Sequence, residues 1–144
     1  MALRTAYLAL HRRTSAALEP SGVTADQFVV MTALADGDAL SQRGLARRTA
    51  SDSSTLRAML VLLEARGFVE RRRHPQDARA RRVRLTPEGR RAFKSLWSRG
   101  KSLRAQLEET LPADELEMLV DALRRVAVAM SPRSAVEAEP VEKM

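Results

Sequence analysis

Cysteine is absent from the 144 residues. That one absence excludes disulfides, thiolate metal sites, a cysteine nucleophile and thiol-based redox sensing. Histidine occurs twice, as His11 and His74. The two are far apart in sequence and neither has carboxylates or thiols at ligand spacing, so no metal site, zinc included, is expected. No run of roughly 18 apolar residues exists, so no membrane-spanning helix is expected. The stretch from Met1 to Leu10 carries one charge and a mixed apolar pattern rather than a signal-peptide layout, and the expected location is cytoplasmic. Also missing are a glycine-rich phosphate loop, a cluster of metal ligands, and a serine with a histidine and acid partner. Acidic pairs such as Glu108-Glu109 and Asp114-Glu115 fall at expected helix ends, where solvated capping accounts for them. Neither an enzymatic activity nor a cofactor is expected.

What is present is positive charge, unevenly placed. The formal net charge is +7, and residues 67–85 hold seven arginines against Glu70 and Asp77, a local charge of +5. Residues 86–111 add +3, whereas 112–131 and 132–144 come to −2 and −1. Of the 25 basic residues 22 are arginine, a habit that accounts for arginine over lysine but not for the clustering. A basic stretch of this kind suits a surface that meets a polyanion.

Apolar spacing divides the chain into helices and one hairpin. Leu3, Tyr7, Leu10, Thr14 and Ala17 recur at helical intervals over residues 3–18, and Pro20-Ser21-Gly22 ends that helix. Thr24 with Gln27 three positions on forms a capping box for a second helix whose inner stripe is Phe28, Met31 and Leu34. A short third helix begins at Ser41, carries Leu45 and stops near Thr49. Asp52 caps a fourth, which buries Leu56, Met59, Leu60 and Leu63 and ends at Gly67, the residue type that favours a left-handed stop. The period then shortens: residues 68–73 and 81–85 read as strands, with turn chemistry over residues 74–80. Thr86-Pro87 restarts a helix predicted to run unbroken to Glu109, with Phe93, Leu96, Trp97, Leu103 and Leu107 on its apolar side. After Leu111-Pro112 a last helix carries Leu116, Leu119, Val120, Leu123, Val126, Ala127 and Met130. Residues 132–144 read as a disordered tail.

Short helix, tight turn, capped helix and basic hairpin make the layout of a winged helix-turn-helix. The fold class expected is mainly α with a small β-hairpin wing, flanked by N- and C-terminal dimerisation helices. A single domain spans 1–131, with the winged motif at about 24–90 and the dimerisation helices at about 3–18 and 90–131. The major groove, about 12 Å wide, admits one helix, which needs short polar residues and arginine at its leading end. Ser53, Ser54, Thr55 and Arg57 supply these. Arg79 is placed at the hairpin tip to enter a narrow minor groove, flanked by arginines that include Arg73 and Arg81. Stripes at both chain ends favour an intertwined homodimer over packing within one subunit.

These residues carry a family resemblance. Asp52-Ser53-Ser54-Thr55-Leu56, followed by Leu63-Glu64-Ala65-Arg66-Gly67-Phe68-Val69-Glu70-Arg71, resembles the recognition helix and first wing strand of the multiple-antibiotic-resistance regulator (MarR) family. Asp77-Ala78-Arg79-Ala80 is similar to that family's aspartate-x-arginine wing signature, and Leu85-Thr86-Pro87-Glu88-Gly89 to its leucine-threonine-x-x-glycine. Thr24-Ala25-Asp26-Gln27-Phe28 is similar to its entry to helix two, so the motifs span roughly residues 24–90.

The resemblance implies a homodimer joined through its first and last helices, binding double-stranded DNA at a short palindromic operator. It also implies release by a small, often aromatic, ligand. By motif, Ser53, Ser54, Thr55 and Arg57 face the major groove, Arg79 enters the minor groove, and Asp77 orients the wing by pairing with an arginine. In one respect the chain departs from the pattern: many relatives place threonine-arginine after the position of Leu56, where this chain has Arg57-Ala58. The guanidinium is thereby moved about 100° around the helix.

Tyr7, His11, Phe28, Met31, Phe93 and Trp97 are candidates to line a ligand pocket, with plain core as the alternative; His11 and Trp97, polar-tipped, are the two a pocket would use. A regulator without a ligand, and an adaptor whose basic hairpin meets something other than DNA, remain as alternatives.

Overall fold

The computed structural model describes residues 1–37, 39–74 and 76–131, with the backbone alone for residues 74 and 77–80. The elements run α1 (Ala2–Leu18), a 3-10 turn (Glu19–Ser21), α2 (Ala25–Ala35), β1 (Leu40–Ser41), α3 (Gln42–Arg48), α4 (Ser53–Ala65), β2 (Val69–His74), β3 (Asp77–Leu85), α5 (Pro87–Arg99), α6 (Lys101–Thr110) and α7 (Ala113–Met130). They fall into two compact units, Met1–Arg104 and from Ala105 onward. The expected tail, 132–144, lies outside the described residues.

The first unit is built around one core. Val30, Met31 and Leu34 of α2, Leu45 of α3 and Leu56, Leu60 and Leu63 of α4 are buried together with Val69, Val83, Leu85 and Leu96. Those on the helices sit at three- and four-residue spacing, so each helix turns one stripe inward and leaves the other to water. Helix starts are fixed by side chains. The Thr24 hydroxyl accepts from Gln27 N–H (3.1 Å) while Gln27 Oε1 accepts from Thr24 N–H (3.1 Å), a complete capping box. Gly67 ends α4 with φ +73°, a conformation glycine reaches without a Cβ penalty.

A three-stranded antiparallel sheet has the order β1-β3-β2. Two features depart from expectation. The two-residue strand β1 pairs Leu40 with Val83 and Ser41 with Arg82; a segment that short carries no alternation to read. The hairpin is also longer than predicted, since residues 77–80 belong to β3 rather than to a turn. An irregularity between Arg73 and His74 absorbs the register change to His74↔Asp77. Arg79 therefore sits within a strand, not at the turn.

The predicted unbroken helix from Pro87 is interrupted at Gly100, which caps α5 before α6 begins at Lys101. Glycine is among the poorest helix formers, and here its N–H bonds to Trp97 O at 3.2 Å in a tightened last turn. At the other end of α5 the packing is close. Thr86 Oγ1 accepts from Gly89 N–H (2.9 Å) and donates to Gly67 O (2.5 Å), while Thr86 N–H donates to Phe68 O (3.0 Å). A Cβ on Gly89 would lie 1.9 Å from that Phe68 oxygen. The glycine of the leucine-threonine-x-x-glycine pattern is thus required by close approach of the wing's base to α5.

Candidate nucleic-acid interface

Helices α3 and α4 are joined by a turn whose geometry is set by local hydrogen bonds. Ser41 Oγ caps α3 by accepting from Gly44 N–H at 3.0 Å. At its far end Ala50 takes φ +51° and Ser51 N–H returns to Ala46 O at 3.0 Å. Asp52 then opens α4. Its Oδ1 accepts from Ser54 N–H (3.0 Å), Thr55 N–H (2.9 Å) and Ser54 Oγ (2.7 Å), and its Oδ2 accepts from Thr55 Oγ1 (2.6 Å). These bonds, the Thr55 hydroxyl's first, hold the Asp52 carboxyl well below the usual carboxylate range.

The cap has a chemical consequence for two predicted site residues. With their protons committed to Asp52, the Ser54 and Thr55 hydroxyls offer outward lone pairs and serve as acceptors. A hydroxyl limited to accepting is suited to amino groups such as adenine N6 or cytosine N4. Ser53, Ser54, Thr55 and Arg57 are all exposed, and Arg57 has no acidic partner among the described residues.

The wing divides its arginines between two tasks. Arg71 Nε and Nη2 donate to Glu64 Oε2 at 3.1 and 2.5 Å, tying the hairpin to α4. That hydrogen bond lowers the Glu64 pKa against an opposing desolvation, and the charges of Arg71 and Arg81 assist. On the other face Glu70 pairs with Arg84 and, at 3.3 Å, with Arg72, and its pKa is lowered, chiefly by the Arg84 bond. Arg82 donates to Ala39 O at 3.3 Å. Arg73 and Arg81 are exposed, stand directly opposite each other, and form no ion pair among the described residues. Arg72 and Arg82 also oppose each other. Like charges directly across a sheet are destabilising. The side chains of Asp77 and Arg79 lie outside the described residues.

Two further cations were missed in the sequence. Arg43 and Arg47, four residues apart on α3, are exposed and lack acidic partners among the described residues, while Arg48 is paired with Asp36. Their i, i+4 spacing was the available signal.

Residues 21–80 match the model of the MarR family. The transcriptional regulator HosA of Escherichia coli O111:H- is 33% identical over 104 residues, covering 72% of this chain and 77% of HosA. This chain belongs to the MarR family. The HTH-type transcriptional regulator YdgJ of Bacillus subtilis is 31% identical over 106 residues, covering 74% of this chain and 65% of YdgJ. Among solved structures, NadR in complex with 4-hydroxyphenylacetate is 25% identical with a TM-score of 0.80, covering 88% of this chain and 89% of NadR. The repressor CouR bound to a 23-mer DNA duplex is 28% identical with a TM-score of 0.78, again covering 88% and 89%. As a MarR-family winged-helix protein, the chain is a DNA-binding transcriptional regulator.

The two residues singled out for a MarR-type ligand pocket occupy separate clusters. His11 lies 5.6 Å, ring to ring, from Tyr7 and 3.5 Å from Asp26. Trp97 packs with Phe28 and Phe93 at centroid distances of 6.4 and 6.0 Å, and the Arg104 guanidinium lies 4.2 Å from its ring centre. Between α2 and α5 an open groove of about 500 Å³ is lined by Thr32, Asp36, Phe93, Lys94 and Trp97. Among the described residues no three histidine or acidic side chains gather as a metal site, and no helix is long and apolar enough to cross a membrane.

Proposed function

We propose that this chain is a homodimeric repressor of a palindromic operator, released when a small aromatic ligand binds. The observation that carries the DNA half is the exposed leading turn of α4, set opposite a buried stripe and beside a hairpin whose Arg73 and Arg81 form no ion pair among the described residues. Ser53, Ser54, Thr55 and Arg57 enter the major groove. Arg73, Arg79 and Arg81 follow the hairpin to the backbone and minor groove, and Asp77 orients it. Two subunits place their recognition helices about 34 Å apart, one helical turn of the duplex.

The dimer is supported by apolar side chains without cover. Leu3, Tyr7 and Leu10 of α1 are exposed, as are Met118, Leu119, Leu123, Val126 and Met130 of α7. A second copy burying both faces removes them from water. The effector half is supported by the groove at Trp97, where aromatic walls stand beside Lys94. NadR, a structural neighbour, was solved with 4-hydroxyphenylacetate. Such a regulator works in the cytoplasm.

A gel-shift titration with the DNA upstream of its own gene tests the reading. Sequence-dependent binding at moderate salt is expected; Arg79→Ala weakens it on all sequences, and Arg57→Ala also relaxes base preference. Absence of sequence-dependent binding refutes the proposal, and unchanged affinity in Arg79→Ala refutes the wing assignment. Thermal melts against aromatic acids, phenols and dyes distinguish a ligand-responsive regulator, which is stabilised, from one without a ligand.

A further inference from the structure

Residues 59–63 of α4 are five consecutive apolar side chains, more than one helix face can bury. Leu56, Met59, Leu60 and Leu63 fill the core. Val61 and Leu62 are left 51% and 55% exposed, and Ala58 is exposed as well. At about 100° per residue, Ser54, Ala58 and Val61 form a single ridge opposite the buried stripe. Ser53, Ser54, Arg57, Ala58, Val61 and Leu62 line one continuous shallow surface. The ridge is therefore polar at Ser54 and apolar at Ala58 and Val61, with Arg57 on its flank.

Isolated exposed apolar residues need no explanation. A contiguous set continuing the candidate DNA-contacting turn does. On the edges of the major groove the apolar group is the thymine C5-methyl. A helix lying in the groove advances about 4.5 Å from Ala58 to Val61, little more than one base step of 3.4 Å. The short Ala58 side chain keeps the backbone close to the base edges, and the branched Val61 reaches across to the next.

We propose that Ala58 and Val61 read thymine methyl groups on neighbouring base steps of the operator. The inference rests on the DNA-binding reading above and adds to it the base class read by the second and third turns of α4. It assigns Ala58 and Val61 a preference for thymine that the serines of the first turn and Arg57 do not supply.

The test is a double-mutant cycle between protein and DNA. A duplex selected by the wild-type protein from random oligonucleotides is prepared with thymine, and again with deoxyuracil, which lacks only the methyl. Replacement is expected to weaken wild-type binding about fourfold per contacted methyl, the ratio for burying one methylene-sized group. Ala58→Ser and Val61→Ser, both on exposed positions, are expected to bind the thymine duplex more weakly and to lose most of the discrimination. Equal wild-type affinity for the two duplexes overturns the proposal. So does full discrimination retained by both variants. Selection of no duplex at all brings down the DNA-binding reading and this proposal with it, and is seen before any uracil is introduced. If Val61→Ser changes the mass by light scattering while discrimination persists, the ridge is a protein interface and the proposal fails.

Discussion

Replacing Gly89 by alanine adds one methyl at the point where the wing's base meets α5. The new Cβ would start 1.9 Å from the Phe68 carbonyl oxygen, and contacts of this kind need at least 3.0 Å, so the two segments must part by more than an ångström. That oxygen belongs to backbone and has no rotamer to change. It also accepts the Thr86 N–H at 3.0 Å, and Thr86 in turn caps α5 and bonds Gly67 O. Forcing extra volume into close packing costs about 1–3 kcal/mol. Losing one half-buried backbone hydrogen bond adds about 1 kcal/mol. Alanine's helix preference over glycine returns up to about 1 kcal/mol.

The net expectation is a loss of about 1–3 kcal/mol, or a Tm lower by about 4–12 °C for a unit near 100 residues. Circular dichroism melts at fixed protein concentration measure it. Gly100→Ala is the control. There a Cβ meets the movable Arg104 Nη1 at 3.0 Å, and Tm is expected to hold or rise. A Gly89→Ala protein melting at or above the parent temperature would refute the close-approach argument.

Two predictions concern charge. Arg43→Ala and Arg47→Ala each remove an exposed α3 cation and should lower the slope of log affinity against log salt by about 0.9 per lost phosphate contact, leaving base preference intact; an unchanged slope places α3 away from the duplex. Acid should destabilise the fold through Asp52, Glu64 and Glu70. All three titrate lower when folded than their ordinary values of 3.8, 4.5 and 4.5, so the stability they contribute is complete at neutral pH and is lost as pH falls through that range and below. Tm should be flat from pH 7 to 6 and fall below pH 5, less steeply in Glu64→Gln, and a parallel profile in that variant counts against the Glu64–Arg71 pair.

Local signals decided how much was legible. Caps at Thr24, Ser41, Asp52 and Thr86 announce helix starts because each capping bond closes within three residues. The inward stripes of α2 and α4 follow from the helical period alone. What escaped depends on distant partners. Strand β1 exists because Leu40 and Ser41 meet Val83 and Arg82, some forty residues on. The break at Gly100 was passed over because the apolar spacing continues across it, although glycine itself was the sign. At the site, helical spacing already sets Met59, Leu60 and Leu63 apart from Val61 and Leu62, but how far those two stand open beside Ala58 is visible only in the structure, where they are 51% and 55% exposed.

The wing shows why charge alone was an incomplete guide. Seven arginines over residues 67–85 look equivalent in the sequence, yet the structure gives them unequal work. Arg71 and Arg84 are spent on Glu64 and Glu70. Removing either cation loosens the hairpin before it touches any ligand. Arg73 and Arg81 stand opposite each other and form no ion pair among the described residues, although the Arg81 charge also acts on Glu64. Their repulsion is tolerable because Val69, Val83 and Leu85 anchor the strands at the buried end. A hairpin selected for its own stability would place an acid at one of those positions, where an opposite pair contributes roughly 0.2–1 kcal/mol. An anion that no described ion pair supplies to these two side chains is one a phosphate backbone would bring. That makes the opposed pair Arg73 and Arg81, more than the total of +5, the structural reason to expect a polyanion at this face.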